Sequence, residues 1–144
     1  MAASAFSLYN ESKKYIMNGT IVLGTSVLKL KLCTSASNAA TLTLSTFASV
    51  DNEIPLSGGY AANGKALASM VVSSILSAKS FSFDAADLVF TASNSSLSNI
   101  KFAVVGISGG KALCYAKLST AQFTVTSPNT LTIVFHSNGL FELH

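Results

Sequence analysis

Short runs of alternating apolar and polar residues recur along most of this chain. In the clearest run, residues 27–33, three leucines alternate with Lys29 and Lys31. A period of two is typical of a half-buried strand, so we predict that the leucines face inward and both lysines face outward. Further strands are predicted at 41–47, 68–76, 81–83, 88–91, 100–105, 112–118, 123–126, 131–135 and 140–143.

The first part of the chain has a different period. Residues 5–17 are predicted to form a helix that Ser4 caps and that ends at Asn18-Gly19. At helical spacing, one face collects Leu8, Tyr9, Ser12, Tyr15 and Ile16. We expect this face to pack on a sheet or on a neighbouring chain.

Turn residues separate the predicted strands at regular intervals. Gly109-Gly110 predicts a hairpin between its flanking strands, and turns are also expected at 127–129 and 137–139. The second half should then form an antiparallel meander. We therefore predict one mainly β domain over residues 1–144, an antiparallel β-sandwich or barrel-like fold with one short N-terminal α-helix.

The amino-acid composition predicts a protein surface with few charged groups. Only 10% of the residues are charged, against roughly a quarter in an ordinary soluble domain, while 49% are hydrophobic and the mean hydropathy is +0.50. Polar residues interrupt every apolar run before it reaches membrane-helix length, and residues 1–24 lack the pattern of a secretory signal. We expect no membrane partner, and the apolar surface should contact other protein subunits.

The charged and metal-binding residues exclude several function classes. The net charge of +3 comes from scattered lysines, and the chain has no arginine, which argues against nucleic-acid binding. Cys33 and Cys114 lie far apart in predicted strands and are expected to be buried free thiols, although a disulfide between them stays open. Two histidines are too few for a histidine-based metal site, so we expect no metal and no cofactor.

Two motifs match enzyme signatures only in part. Residues 59–65 have the spacing of a phosphate-binding loop, but Ala66 stands where that motif needs the hydroxyl of Ser or Thr. Residues 106–110 match the G-x-S-x-G elbow around Ser108, but no acid follows before Glu142. Asp51 and Glu53 are expected to be solvated. We therefore predict that the protein is not an enzyme and has no catalytic residue.

A longer series of segments resembles a known family. These segments are VLKLKLCTS at 27–35, DNEIPLSGGYAANGKAL at 51–67, FDAADLVFTAS at 83–93, KFAVVGI at 101–107, ALCYAKLS at 112–119 and NGLFEL at 138–143. Their order resembles small virion-associated structural proteins of tailed bacteriophages, with departures at Asn63 and around residues 93–99.

The resemblance implies a structural subunit of a virion, made in the bacterial host cytoplasm. The leading hypothesis is a capsid decoration or cement protein, a homo-oligomer with a trimer favoured, that binds the phage head between major capsid subunits. The alternatives are a tail, neck or fibre subunit, or a carbohydrate- or receptor-binding module with Phe47 and Tyr60 as its aromatic residues. Predicted subunit contacts are Tyr9, Tyr15, Ile16 and Tyr60, with the loops at 51–60 and 93–98.

Overall fold

A computed structural model describes residues 6–75, 80–135 and 139–143 of the chain. Most of its regular structure is antiparallel strand, as predicted, and the one helix in the described part is short. The elements are β1 (Ser7–Leu8), α1 (Ser12–Met17), β2 (Leu28–Cys33), β3 (Lys65–Ala66), β4 (Val71–Ile75), β5 (Ser80–Asp84), β6 (Leu88–Thr91), β7 (Leu97–Ile100), β8 (Phe102–Ile107), β9 (Ala112–Lys117), β10 (Phe123–Val125), β11 (Thr130–Ile133) and β12 (Phe141–Leu143).

The last eight strands pair in a nested order. Strands β8 and β9 form the predicted hairpin around Gly109-Gly110, and outside it β7 pairs with β10, β6 with β11, and β5 with β12. The predicted meander is therefore wrong, because β10, β11 and β12 each pair with a strand on the far side of the hairpin, β7, β6 and β5, and not with the strand next to them. The chain behaves as one long hairpin that bends back on itself.

The largest sheet has the order β1-β9-β8-β2-β3. Strand β2 lies near its centre and pairs with β8 along its whole length, from Leu28 opposite Ile107 to Cys33 opposite Phe102. The alternating leucines of β2 are fully buried, as predicted. They join the main core, which also contains Ile54, Phe83, Leu113 and Ile133.

The helix is shorter than predicted. Ser7 and Leu8, expected in its first turns, pair instead with Tyr115 and Cys114 of β9. The free edge of β9 offers these two residues inter-strand hydrogen bonds, and α1 begins only at Ser12. The proposed cap Ser4 lies outside the described residues. The predicted end is confirmed, because α1 stops at Met17 before the Asn18-Gly19 turn.

Residues 34–52 fold across the other face of the large sheet, and two predictions fail there. The segment 41–47 is not a strand: it forms consecutive turns, and Thr46 alone makes an isolated bridge, to Lys111. The segment covers Lys31, which is 3% exposed instead of facing outward. Its ammonium donates hydrogen bonds to the carbonyl oxygens of Phe47 (2.8 Å) and Val50 (2.9 Å).

The two cysteines are buried free thiols, as predicted. Cys114 lies in the main core, whereas Cys33 lies in the second, smaller cluster that the 34–52 segment forms with the sheet. Strand β8 separates β2 from β9, so the two thiols are on strands that do not pair with each other. The alternative of a disulfide is thereby removed.

Candidate functional site

The segment 51–67, which includes the phosphate-loop-like motif, is tied to β2 by a partly buried polar cluster. One carboxylate oxygen of Glu53 accepts hydrogen bonds from the Tyr60 hydroxyl and from the Asn63 backbone N–H, both at 2.7 Å. The Tyr60 hydroxyl in turn accepts a hydrogen bond from the Leu32 N–H at 2.9 Å. The prediction of a solvated Glu53 is therefore wrong, because its carboxylate holds this loop together.

The second glycine of the motif is required by packing. Gly64 has φ +72°, and a Cβ at this position would stand 1.8 Å from the carbonyl oxygen of Leu30. Only glycine allows both this left-handed conformation and this close approach of two backbones. The motif therefore acts as a turn that brings β3 against β2, and it leads into a two-residue strand instead of a helix.

The lysine of the motif is engaged within the chain. The Lys65 ammonium donates a hydrogen bond to the carbonyl oxygen of Val89 and lies 5.6 Å from the ring centroid of Phe90. Beside it is a small cavity of about 190 Å³, which Gly59, Tyr60, Thr91, Ser93 and Leu97 also line. Within the described residues, no group of His, Cys, Asp and Glu side chains has the arrangement of a metal site.

Ser108, the serine of the second enzyme-like motif, lies at the tip of the β8–β9 hairpin. Its hydroxyl accepts a hydrogen bond from the Asn63 side-chain amide at 3.3 Å. A nucleophilic serine requires a hydrogen-bonded base in this position, and an amide N–H cannot act as one. The observed partner therefore fits a surface hairpin.

Three predicted binding residues are buried inside the chain. Tyr9 is 1% exposed and donates its hydroxyl hydrogen bond to the carbonyl oxygen of Ala39. Tyr60 and Phe47 are 6% and 1% exposed. These three rings have no surface to offer a subunit or a sugar, because a side chain in the core is already surrounded by its own chain. The prediction that Tyr9 and Tyr60 contact another subunit is therefore wrong. The alternative in which Phe47 and Tyr60 bind a carbohydrate is wrong for the same reason.

The other two predicted contact residues reach the surface. Tyr15 is half-buried, with the ammonium groups of Lys14 and Lys111 at 5.6 and 5.0 Å from its ring centroid. Ile16 lines an apolar groove of about 380 Å³ between α1, the following loop and the β4–β5 pair. The groove is also lined by Met17, Gly19, Ile21, Val22, Leu23, Val72 and Phe81.

The two loops predicted to contact a neighbour lie against each other. The Ser93 N–H donates a hydrogen bond to the carbonyl oxygen of Gly58 at 3.0 Å, and the Ser57 hydroxyl lies 3.5 Å from the carbonyl oxygen of Ser96. Leu56, in the first of these loops, is 64% exposed. We call residues 56–59 together with 93–96 the loop pair.

Burial changes the acidity of several groups in the interior. It raises the pKa of the Cys33 thiol to about 11 and that of the Cys114 thiol well above its ordinary value. Burial and the bond to Glu53 raise the pKa of Tyr60, and burial also raises that of Tyr9. Desolvation lowers the pKa of Lys31. Each thiol is therefore held as an unreactive neutral group, since the thiolate is the nucleophile.

Five acidic side chains have a partner within the chain. Asp51, Glu53, Asp84 and Asp87 each accept a hydrogen bond from a backbone N–H, and Glu11 pairs with Lys14. Asp51 and Asp87 nevertheless lie at exposed positions, so the outer charge includes acids as well as lysines.

Sequence reasoning missed three residues whose side chains or backbone fix the loops on β2. Glu53 and Asn63 hold the segment 51–67, and Lys31 binds the segment 34–52. The sequence contains one indication of the cluster: Glu53 lies seven residues before Tyr60 and eleven before Gly64, and turn residues flank both Tyr60 and Gly64. Periodicity alone could not find it, because the cluster joins a loop to a strand more than twenty residues away.

Comparisons with protein families, with curated proteins and with solved structures find no match for this chain. Among the described residues, no helix has the length and apolar character that crossing a membrane requires.

Proposed function

We propose that this protein is a non-enzymatic structural subunit of a tailed-phage virion, a decoration or cement protein that binds the head between major capsid subunits. The observation that carries the proposal is the exposed apolar surface. Ten large apolar side chains of the described residues are at least 37% exposed, on a chain with only 10% charged residues. A surface of this kind is stabilised by burial against partners.

The strand order supports the same proposal. Eight strands that pair first with last, second with seventh, and so on inward have the connectivity of a jelly roll, a fold of two facing sheets used by viral capsid and lectin domains. We propose that the four strand pairs of this protein form such a sandwich. Since lectins share the fold, the connectivity supports a binding module in general, and the virion assignment depends on the resemblance.

The internal use of the motif residues supports a role without catalysis. Gly64 and Lys65 contact the chain's own backbone, and Ser108 bonds to an amide. Decoration would then act by mass action, since a subunit that binds the assembled shell and not its dissociated parts stabilises the shell. The loop pair, with exposed Leu56 at its edge, is the surface that we propose to contact the head.

The test uses purified virions separated into heads and tails. We expect mass spectrometry to detect this chain in heads, and cryo-EM to place it where capsid subunits meet. Added Leu56→Asp protein should bind undecorated heads at least about tenfold more weakly than wild type, whereas Leu42→Asp, a matched change at a 43% exposed leucine, should bind normally. Presence in tails alone would favour the tail, neck or fibre alternative, and absence from the particle would overturn the structural role.

A further inference from the structure

Strand β4 has an edge without a partner among the described residues. It is the outermost strand of the sheet β12-β5-β4 and pairs with β5 from Val71 opposite Asp84 to Ile75 opposite Ser80. Its backbone makes no other hydrogen bond to a described residue. Val71 and Val72 are also 52% and 46% exposed, so the second edge of β4 has no partner among the described residues and can pair with another strand.

This edge lacks the features that usually prevent strands from associating. Natural edge strands carry lysine, proline or a bulge that blocks pairing. Strand β4 has the sequence VVSSI, with no charge and no proline, and its register against β5 runs without a shift. An extended uncharged strand can therefore add to it without burying an unpaired charge.

The apolar groove lies on the same part of the molecule. Val72 of β4 and Phe81 of β5 form one wall, and Ile16 and Met17 of α1 form the other. Met17 is 88% exposed and Phe81 is 55% exposed, which is unusual for side chains of this size and hydrophobicity. A partner that pairs with β4 would thus also cover a continuous apolar surface.

We propose that the partner is a second copy of this chain, whose β4 pairs antiparallel with the β4 of the first across a two-fold axis at Ser73. The strand complements itself in this register, because position 71 meets 75 and position 72 meets 74, and none of these residues is charged. Such a contact is closed after two copies. The joined sheet has six strands, and both grooves lie on its same face. This inference is independent of the proposed function.

Sedimentation of the full chain over a wide concentration range tests the proposal. We expect a species of twice the 14.9 kDa chain mass. Val72→Lys should raise the dissociation constant at least about tenfold, because it brings two like charges together at the dyad. Val89→Lys is the matched control on β6, since Val89 is 41% exposed against 46% for Val72, and it should leave association unchanged.

Hydrogen exchange gives a second measurement that does not depend on the lysine variants. The amides of residues 71–75 should be more protected in the dimer than in the diluted monomer. Phe81→Ser, which removes a half-exposed ring, should weaken association even if Val72→Lys fails to fold. A monomer at every concentration, a trimer, or equal effects of Val72→Lys and Val89→Lys would each overturn the proposal, as would full protection of 71–75 in the monomer.

Discussion

Replacing Gly64 by alanine provides the sharpest test of how the segment 51–67 is used. If the motif binds phosphate, its glycines are needed so that backbone N–H groups can approach the ligand. If the motif is structural, Gly64 is needed because its backbone touches β2. The structure favours the second reading. A Cβ at residue 64 would lie 1.8 Å from the Leu30 carbonyl oxygen, far closer than any non-bonded contact that a Cβ makes.

Gly109 offers a control with the same backbone conformation. Its φ is +74° against +72° for Gly64, but a Cβ there meets nothing within 4 Å. The intrinsic cost of alanine in a left-handed conformation is about 1–2 kcal/mol. Alanine also reduces the conformational entropy of the unfolded chain, which offsets about 0.4–1 kcal/mol of that cost. Gly109→Ala should therefore lower the free energy of unfolding by about 1 kcal/mol.

Gly64→Ala carries the same conformational cost and must also push β3 away from β2. That movement disrupts the pairing of Lys65 with Leu30 and the hydrogen bond from the Leu67 N–H to Leu28, each worth about 1 kcal/mol. It also exposes part of the buried Leu67 side chain, worth up to about 2 kcal/mol. The expected loss is about 4 kcal/mol, and the melting temperature should fall by about 10 °C.

Urea unfolding of the two variants and the wild type, followed by far-UV circular dichroism, measures this difference. Equal losses for Gly64→Ala and Gly109→Ala, within about 0.5 kcal/mol, would refute the packing argument. Stabilisation of the wild type by inorganic phosphate or a nucleoside triphosphate, abolished in Gly64→Ala, would refute the structural reading of the motif.

Three further predictions concern the buried groups and the second motif. The buried thiols have a raised pKa, so folding stability should fall as pH rises above about 9, by about 1.4 kcal/mol per pH unit for each thiol; Cys114→Ala should lessen this slope in alkaline urea titrations, and Val105→Ala, the residue paired with it, should not. Tyr60→Phe should cost about 1–3 kcal/mol in urea unfolding, because the Glu53 carboxylate and a β2 N–H lose a partner; Tyr115→Phe, a half-buried control, should cost under about 0.5 kcal/mol, and equal costs would contradict the cluster. Ser108→Ala removes only an exposed hydrogen bond from Asn63, so it should change the free energy of unfolding by no more than about 0.5 kcal/mol and leave head binding unchanged. Any loss of head binding or of a hydrolytic activity would contradict the hairpin reading.

Local patterns were sufficient to predict most strands and the central hairpin. The alternation around β2 and the Gly109-Gly110 turn are properties of a few neighbouring residues, and both were predicted correctly. The 41–47 segment shows where this reasoning fails. It alternates as well as β2 does, yet its residues form turns, because the Asn38 side chain bonds to Asp51 N–H and Ser49 C=O and closes the loop.

Long-range pairing explains the remaining errors. The residues at the start of the predicted helix have helical periodicity, but the open edge of β9 binds Ser7 and Leu8 as a strand. The nested order could not be inferred, since a turn between two strands does not say whether they pair with each other. Lys31 was misassigned because alternation gives the face of a side chain and not what covers that face.

The same internal contacts sharpen the argument from charge. A low charge content indicates a partner-covered surface more strongly when some of the few charged groups are withdrawn from the exterior. Here the acids and Lys31 are used within the fold: Asp51, Asp84 and Asp87 each bind a backbone N–H, and Glu53 holds a loop. Lys31 is buried and Glu53 and Asp84 are half-buried, whereas Asp51 and Asp87 remain exposed. The exterior is therefore somewhat poorer in charged groups than the composition indicates. The proposed contact between copies, at the β4 edge and its groove, and the proposed contact with the shell, at the loop pair, use different residues, so the two proposals are compatible.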